Sequence, residues 1–124
     1  MRTSGRDDGA CVLIVDDEED IRDALREAIE MAGCRAVTAA NGADALELLQ
    51  DWSPCLVIVD LLMPVMTGQE MLEVMRSEPR LAALSVVIST SAPSRAPAGV
   101  PVLPKPIVIE KLFDCLRRSC HCKA

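Results

Sequence analysis

The sequence predicts a single α/β domain: a doubly wound sheet of five parallel strands between two layers of helices, a three-layer (βα)5 sandwich. Three observations predict this fold. The length of 124 residues is that of one ordinary domain. Short apolar runs without polar alternation are typical of strands buried on both faces of a parallel sheet. Segments with helical periodicity separate these runs, and parallel neighbours need such crossovers.

Five segments are predicted as strands. Four are apolar runs, and the other, at 36–40, is predicted at the edge of the sheet. The last run is interrupted by a proline and is therefore the least regular. In chain order the segments are 11–15, 36–40, 56–59, 86–88 and 100–103.

Four helices are predicted between and after these strands. The first has a continuous apolar face and ends at Gly33. Asn41 is a suitable N-cap for the second. Thr67 and Glu70 have the spacing of a capping box and predict the start of the third. Apolar residues at helical spacing within 109–116 predict the last helix.

The crossover between the fourth and fifth predicted strands lacks the pattern of a regular helix. The segment from Ser91 to Val100 contains two prolines and a glycine, which are poorly compatible with a helix. We therefore expect a loop or a single turn there, so that the fourth crossover helix is shortened or missing. We expect the domain to span residues 11–118, after a disordered or loosely ordered N-terminus at 1–10 and before a frayed tail at 119–124.

Charge and cysteine content restrict the class of protein. The formal net charge of −6 disfavours direct nucleic-acid binding, and no stretch approaches the roughly 20 apolar residues of a membrane span. Because no signal peptide is visible, we expect the six cysteines to be reduced and the protein to be cytoplasmic. The tail sequence Cys120-His121-Cys122 alone supplies too few ligands for a metal site. Because 124 residues are the length of one domain, we expect no separate output domain within them.

Polar side chains follow four of the predicted strands. Because the carboxyl ends of parallel strands share one edge, where ligands bind, we expect these groups to converge. Carboxylates at this density need a counter-charge, and Mg²⁺ accepts such oxygen ligands. The groups are Asp16 and Asp17 after the first strand, Asp60 after the third, Ser89, Thr90 and Ser91 after the fourth, and Lys105 after the fifth.

An aspartate beside a cation, with a hydroxyl and a lysine nearby, is equipped to accept a phosphoryl group on its carboxylate. Asp60 is the candidate because it stands alone after the most apolar strand. Each residue also has a structural interpretation: the acids near Asp16 could favour a helix dipole, Asp60 could begin a turn, and Lys105 could be a solvated loop residue. The chemical interpretation is favoured because these features follow four separate strands.

Four motifs together resemble the CheY-like receiver domain of two-component response regulators. They are VLIVDDEEDIR at 12–22, VIVDLLMPVMTG at 57–68, the pair Ser91-Ala92, and LPKP at 103–106. The resemblance extends from Val12 to about Leu116. It implies a flavodoxin-like fold in which an aspartate receives a phosphoryl group from a histidine kinase in a Mg²⁺-dependent reaction.

The resemblance implies roles for the acidic residues. Asp60 corresponds to the phosphoacceptor. Asp17, Asp60 and the backbone carbonyl of Leu62 correspond to Mg²⁺ ligands, and Asp16 corresponds to an acid that acts largely through water.

The resemblance also implies that Ser91 bonds a phosphoryl oxygen in the active state and that Lys105 pairs with another. The peptide bond into Pro106 is expected to be cis. The position of Val102 is often Tyr or Phe in this family, where the ring reports the state of the hydroxyl. An aromatic switch is impossible at Val102.

Two functional hypotheses follow from these observations. The first is a phosphorylation-controlled signalling module that is not a turnover enzyme, although it promotes its own phosphorylation and dephosphorylation. Its partners are a histidine kinase or phosphotransfer protein and an unknown downstream protein, with no direct contact to nucleic acid or membrane. The alternative is a receiver-like interaction module that works without phosphorylation. An aspartyl-nucleophile phosphatase is disfavoured because Leu62 stands where a second acid is expected.

Overall fold

Five strands form one sheet in the order β2-β1-β3-β4-β5. The computed structural model describes residues 10–63 and 65–120. All four strand pairs are parallel, which confirms the predicted doubly wound α/β fold. The strands are β1 Ala10–Val15, β2 Arg35–Ala39, β3 Leu56–Asp60, β4 Val86–Thr90 and β5 Val102–Pro104.

The second and third helices begin at the predicted capping residues, whereas the short helix α4 at Pro79–Ala82 was not predicted. Asn41 Oδ1 accepts a 2.8 Å hydrogen bond from the Asp44 backbone N–H at the start of α2. Thr67 and Glu70 form the predicted capping box at the start of α3. No helix in the described ranges is long and apolar enough to cross a membrane. The helices are α1 Glu19–Met31, α2 Gly42–Leu48, α3 Gly68–Arg76, α4 Pro79–Ala82 and α5 Ile109–Ser119.

The sheet separates two apolar cores. Leu13 and Val15 face a core shared with α2, α3 and α4, whereas Val12 and Ile14 face a core shared with α1 and α5. This alternation is the period-two pattern of a strand covered on both faces. Every residue of β3 is buried, so the strand that ends in Asp60 is anchored along its whole length.

The connection between β4 and β5 contains a single 3₁₀ turn at Pro93–Arg95, as predicted from its prolines. The short helix α4 belongs to the preceding connection, directly after α3, and does not replace the missing crossover helix. Ala96 and Val100 pack against the core that α3 and α4 cover. The shortened crossover therefore still covers its face of the sheet with a few side chains.

The strand and domain boundaries differ from those predicted. β3 and β4 extend through Asp60 and Thr90 because ladder pairing continues past the apolar residues. At the C-terminus, Ser119 is helical and Cys120 is 5% exposed, so the prediction of a frayed tail is wrong for these two residues. Cys120 is ordered because it is buried against the α1/α5 core, and Ser119 continues α5 up to it. Ala10 already belongs to β1, and the rest of both predicted termini lies outside the described residues.

The described cysteines agree with the prediction except at Cys34. Cys11, Cys55, Cys115 and Cys120 carry reduced thiols, as expected. Cys34 is disulfide-bonded, so the expectation of a reduced thiol is wrong for this residue. Cys34 packs in the same core as Cys120 at the end of α5, a proximity that the spacing of the two residues along the chain does not reveal.

Candidate functional site

The carboxyl edge of the sheet brings together side chains from three strands. Asp16 directly follows β1, Asp60 ends β3, and Lys105 directly follows β5. Lys105 Nζ lies 2.9 Å from Asp16 Oδ2 and 3.5 Å from Asp60 Oδ1. The lysine thus bridges two carboxylates although β4 separates its strand from β3.

Asp16 is the most enclosed of the site carboxylates, at 1% exposed. Its Oδ1 accepts a 2.9 Å hydrogen bond from the Glu18 backbone N–H, and its Oδ2 accepts one from Lys105. Arg22 donates a 2.8 Å bond to the Asp16 backbone carbonyl. A buried carboxylate requires such partners, so Asp16 is a fixed element of the site.

Asp60 is 7% exposed and carries an altered proton affinity. Burial, followed by the negative charge of Asp16, raises the pKa of Asp60 to about 6, although Lys105 and the Leu62 backbone N–H oppose this rise. Burial lowers the pKa of Lys105, but the hydrogen bond to Asp16 and the charges of Asp16 and Asp60 outweigh that effect and raise it. Added positive charge beside Asp60 would therefore stabilise the ionised form of its carboxyl group.

The three acids predicted as the metal-binding group lie together. Each of Asp16, Asp17 and Asp60 offers a carboxylate oxygen within 4.8 Å of those of the other two. Asp16 and Asp60 are buried, whereas Asp17 is exposed, so the cluster is open to solvent on one side. Hard oxygen donors with an open side fit Mg²⁺, which retains several waters in proteins. The role of the Leu62 carbonyl stays a prediction; the Leu62 side chain is 51% exposed.

The loop from β3 to α3 closes tightly over the end of β3. A Cβ atom on Gly68 would lie 2.3 Å from the Asp60 carbonyl oxygen, so only glycine fits there. The Gly68 N–H donates a 2.9 Å hydrogen bond to the Leu61 carbonyl. Val65 has a φ of 73°, which is strained for a β-branched residue. The loop from β3 to α3 therefore has a tightly packed and locally strained backbone beside the site.

The three consecutive hydroxyl residues after the fourth apolar run have different environments. Ser89 and Thr90 are buried at 1% and 2% exposure, whereas Ser91 is exposed and lies one residue beyond β4. Thr90 Oγ1 accepts a 2.9 Å hydrogen bond from the Ala92 backbone N–H. Ser89 pairs with Asp60 in the ladder, and within the described part of the chain its Oγ has no hydrogen-bond partner.

These hydroxyl environments bear on the prediction from the sequence that Ser91 is the site hydroxyl. The role of Ser91 comes from the resemblance, through the motif of a hydroxyl residue followed by alanine at Ser91-Ala92. β4 continues to Thr90, so Thr90 is the last residue of the strand. The sequence motif pointed to Ser91 and did not identify Thr90 as a site residue. The register of β4 against Asp60 distinguishes the three hydroxyls, and no local pattern does so. The role of Ser91 stays a prediction.

The last strand carries the two remaining features implied by the resemblance. Val102 begins β5, is half-buried, and pairs with Ile88. The peptide bond between Lys105 and Pro106 is cis, as expected. The Lys105 N–H donates a 2.9 Å hydrogen bond to the Thr90 carbonyl. Lys105 is therefore fixed to the end of β4 by its backbone and to Asp16 by its side chain.

Comparison with known proteins gives a consistent result. A family model described as the response regulator receiver domain matches residues 12–116. The response regulator MprA of Mycobacterium sp. (strain KMS) is 30% identical over 111 residues, covering 86% of this chain and 48% of that protein. The chain therefore spans about half the length of such curated relatives. The regulator of RpoS of Escherichia coli (strain K12) is 44% identical over 69 residues, covering 56% of this chain and 20% of that protein.

Solved structures show the same similarity. The chemotaxis response regulator CheY4 of Vibrio cholerae superposes with a TM-score of 0.80 at 31% identity, covering 89% of this chain and 98% of the other. A response regulator receiver protein from Pseudomonas putida gives a TM-score of 0.78 at 29% identity, covering 88% and 96%. The chain therefore shares its fold with these two proteins over 88–89% of its length.

Proposed function

Because this chain belongs to the response regulator receiver domain family, we propose that it accepts a phosphoryl group on Asp60 from the phosphohistidine of a histidine kinase or phosphotransfer protein, in a Mg²⁺-dependent reaction. The observation that carries the proposal is the contact of Lys105 with both Asp16 and Asp60 at the edge where Asp17 also lies. An acid cluster with one shared lysine matches the charge requirements of phosphoryl transfer to a carboxylate.

The proposed step is an in-line displacement at phosphorus. A carboxylate oxygen of Asp60 forms the new P–O bond while the P–N bond to the histidine breaks, and the imidazole nitrogen keeps the electron pair of that bond. With a pKa of about 6, Asp60 is mainly ionised at neutral pH and therefore nucleophilic. Lys105, 3.5 Å from Asp60 Oδ1, is placed to pair with a phosphoryl oxygen.

The metal requirement follows from the charges at the site. Asp16, Asp17 and Asp60 with Lys105 sum to −3 + 1 = −2 when all are ionised, and an incoming phosphoryl group adds negative charge. We assign Asp17, Asp60 and the Leu62 carbonyl as Mg²⁺ ligands, with Asp16 acting through water. Bound Mg²⁺ would offset the repulsion between the attacking carboxylate and the phosphoryl oxygens.

The proposed output is a change at a protein-binding surface. A phosphoryl group on Asp60 adds charge beside the end of β4, where Thr90 and the start of the shortened crossover lie. A partner protein then reads the altered surface. In this proposal the chain promotes its own phosphorylation and dephosphorylation and is not a turnover enzyme.

The direct test is incubation with acetyl phosphate and Mg²⁺, followed by mass spectrometry of the intact protein. The wild type is expected to gain one phosphoryl group, and Asp60→Asn is expected to gain none. Asp114→Asn is the matched control, because Asp114 is an exposed aspartate on α5 whose carboxylate pairs with Arg117 of the same helix. Equal labelling of wild type and Asp60→Asn would refute the assignment.

A second candidate is an interaction module that works without phosphorylation. The single 3₁₀ turn at Pro93–Arg95 and the non-aromatic Val102 favour it, because both lie where the change of state would be transmitted. Hydrogen exchange of the wild type with and without beryllofluoride and Mg²⁺ separates the two candidates. Altered protection within residues 89–105 supports phosphorylation control, whereas labelling of Asp60 without any change in protection supports the second candidate.

A further inference from the structure

Three cysteine thiols meet at the amino edge of the sheet, opposite the acidic site. Cys11 lies in β1, Cys55 directly precedes β3, and Cys120 directly follows α5. Their Sγ atoms all lie within 4.8 Å of one another. The proximity comes from the fold alone, because the three residues are far apart in the chain.

Backbone contacts hold each of these cysteines in place. The Cys55 N–H donates a 2.7 Å hydrogen bond to the Cys11 carbonyl, and the Cys120 N–H donates a 2.7 Å bond to the Leu116 carbonyl. Cys120 is buried, whereas Cys11 and Cys55 are half-buried. The cluster therefore has a rigid, buried side formed by α5 and a side that solvent can reach.

We propose that Cys11, Cys55 and Cys120 supply three thiolate ligands to a soft divalent metal ion, Zn²⁺. Around a tetrahedral ion with Zn–S bonds of about 2.3 Å, ligand sulfurs are about 3.8 Å apart. Thiols already within 4.8 Å of one another reach that spacing with small side-chain movements. Soft thiolates select this class of metal over the Mg²⁺ that suits carboxylates.

The fold supplies the ligands that the C-terminal sequence lacks. The triplet Cys120-His121-Cys122 on its own is too poor in ligands for a metal site. The ends of β1 and β3 add two thiols to Cys120. Cys34 is excluded as a thiolate ligand because it is disulfide-bonded, and Cys115 does not belong to the cluster.

Metal binding at this site exchanges the protons of the thiols for the metal ion and involves no redox step. Burial is the main cause that raises the pKa of both Cys11 and Cys120, and Cys55 adds to the rise at both, so both are protonated at neutral pH in the metal-free protein. Each ligand thiol releases its proton to solvent as its Zn–S bond forms. The bound ion would also tie the end of α5 to the amino ends of β1 and β3.

The test is anaerobic titration of the metal-free protein with Co²⁺, followed by optical absorption. Thiolate ligation of Co²⁺ produces charge-transfer absorption in the near ultraviolet, which the oxygen ligands of the acidic site cannot produce. We expect this absorption to saturate at one ion per chain and to disappear when Zn²⁺ is added. Zn²⁺ should also slow alkylation of Cys55 by iodoacetamide, and a chelator should restore it.

Single substitutions assign the ligands. Cys55→Ser and Cys11→Ser should each weaken Co²⁺ binding by more than about tenfold, because even outer-shell changes at metal sites have effects of that size. Cys115→Ser is the matched control: Cys115 is a buried, reduced cysteine within α5, and its replacement should leave the absorption unchanged. The proposal is overturned if the wild type shows no thiolate absorption, or if Cys55→Ser and Cys11→Ser both retain it at wild-type affinity.

Discussion

Lys105 donates a 2.9 Å hydrogen bond to Asp16, whereas its distance to the Asp60 carboxylate is 3.5 Å. The lysine is therefore held mainly by Asp16 and less closely by Asp60, the proposed phosphoacceptor. In the proposed reaction a carboxylate oxygen of Asp60 stays available for attack, and the ammonium is close enough to pair with an arriving phosphoryl oxygen. The Lys105–Asp16 pair positions the lysine before any phosphoryl group is present.

Replacing Lys105 should destabilise the protein through Asp16. Lys105→Met leaves the carboxylate of Asp16, 1% exposed, without its ion partner, and breaking a buried pair costs roughly 3–5 kcal/mol. We expect a loss of free energy of unfolding near the lower end of that range in urea titrations with a chelator present. The double variant Lys105→Met/Asp16→Asn should recover much of it. Additive losses in the double variant would show that the two side chains are not coupled.

The pH dependence of stability should reveal the raised pKa of Asp60. The pKa is about 6 in the folded protein against an ordinary 3.8, so between these values the folded state holds a proton that the unfolded state has released. The free energy of unfolding therefore falls as pH rises from 4 to 6. The fall should be about 1–3 kcal/mol larger in the wild type than in Asp60→Asn, measured by urea unfolding with a chelator present. Parallel profiles for the two proteins would contradict this prediction.

Mg²⁺ should stabilise the wild type above pH 6, where Asp60 is ionised. A ligand that binds only the folded state raises the free energy of unfolding in proportion to the logarithm of its concentration. We expect a rise in thermal midpoint with Mg²⁺ for the wild type and a much smaller one for Asp60→Asn or Asp17→Asn. Asp114→Asn should respond like the wild type. An equal response from Asp17→Asn would remove Asp17 from the proposed ligands.

The hydroxyls of Thr90 and Ser91 should be separable by mutation. Thr90→Ala removes a buried hydroxyl that bonds the Ala92 N–H and should lower the free energy of unfolding by about 1 kcal/mol or more. Ser91→Ala alters an exposed side chain and should change it by less than about 0.5 kcal/mol. If Ser91 bonds the phosphoryl oxygen, Ser91→Ala must abolish the beryllofluoride-induced protection within 89–105. Loss of that response only in Thr90→Ala would transfer the role to Thr90.

Gly68 should tolerate no side chain. In Gly68→Ala the new Cβ would lie 2.3 Å from the Asp60 carbonyl oxygen, and a backbone atom at the end of a buried strand cannot move away easily. We expect a loss of free energy of unfolding of at least about 2 kcal/mol and slower labelling by acetyl phosphate. Gln69→Ala, the exposed neighbour on α3, is the control. Wild-type stability in Gly68→Ala would show that the loop is free to shift.

Local patterns were sufficient to predict most of the fold. Unbroken apolar runs indicated strands covered on both faces, and the caps at Asn41 and Thr67 depend only on residues within one helical turn. The degenerate crossover was predictable because proline excludes a helix wherever it occurs. The boundaries of β4 and α5 could not be predicted locally. Pairing with the neighbouring strand sets the end of β4, and burial against the α1/α5 core sets the end of α5.

By itself, the sequence determined the α/β class, the order of its elements and the set of acids, hydroxyls and lysine at the carboxyl edge, since hydrophobic periodicity and residue chemistry are local properties. Only the tertiary structure decided that Lys105 bonds Asp16, that Thr90 and not Ser91 ends β4, and that Cys11 and Cys55 lie beside Cys120. These relationships join residues far apart in the chain or depend on pairing register. Strand order and packing across the sheet set them, and no local pattern contains that information.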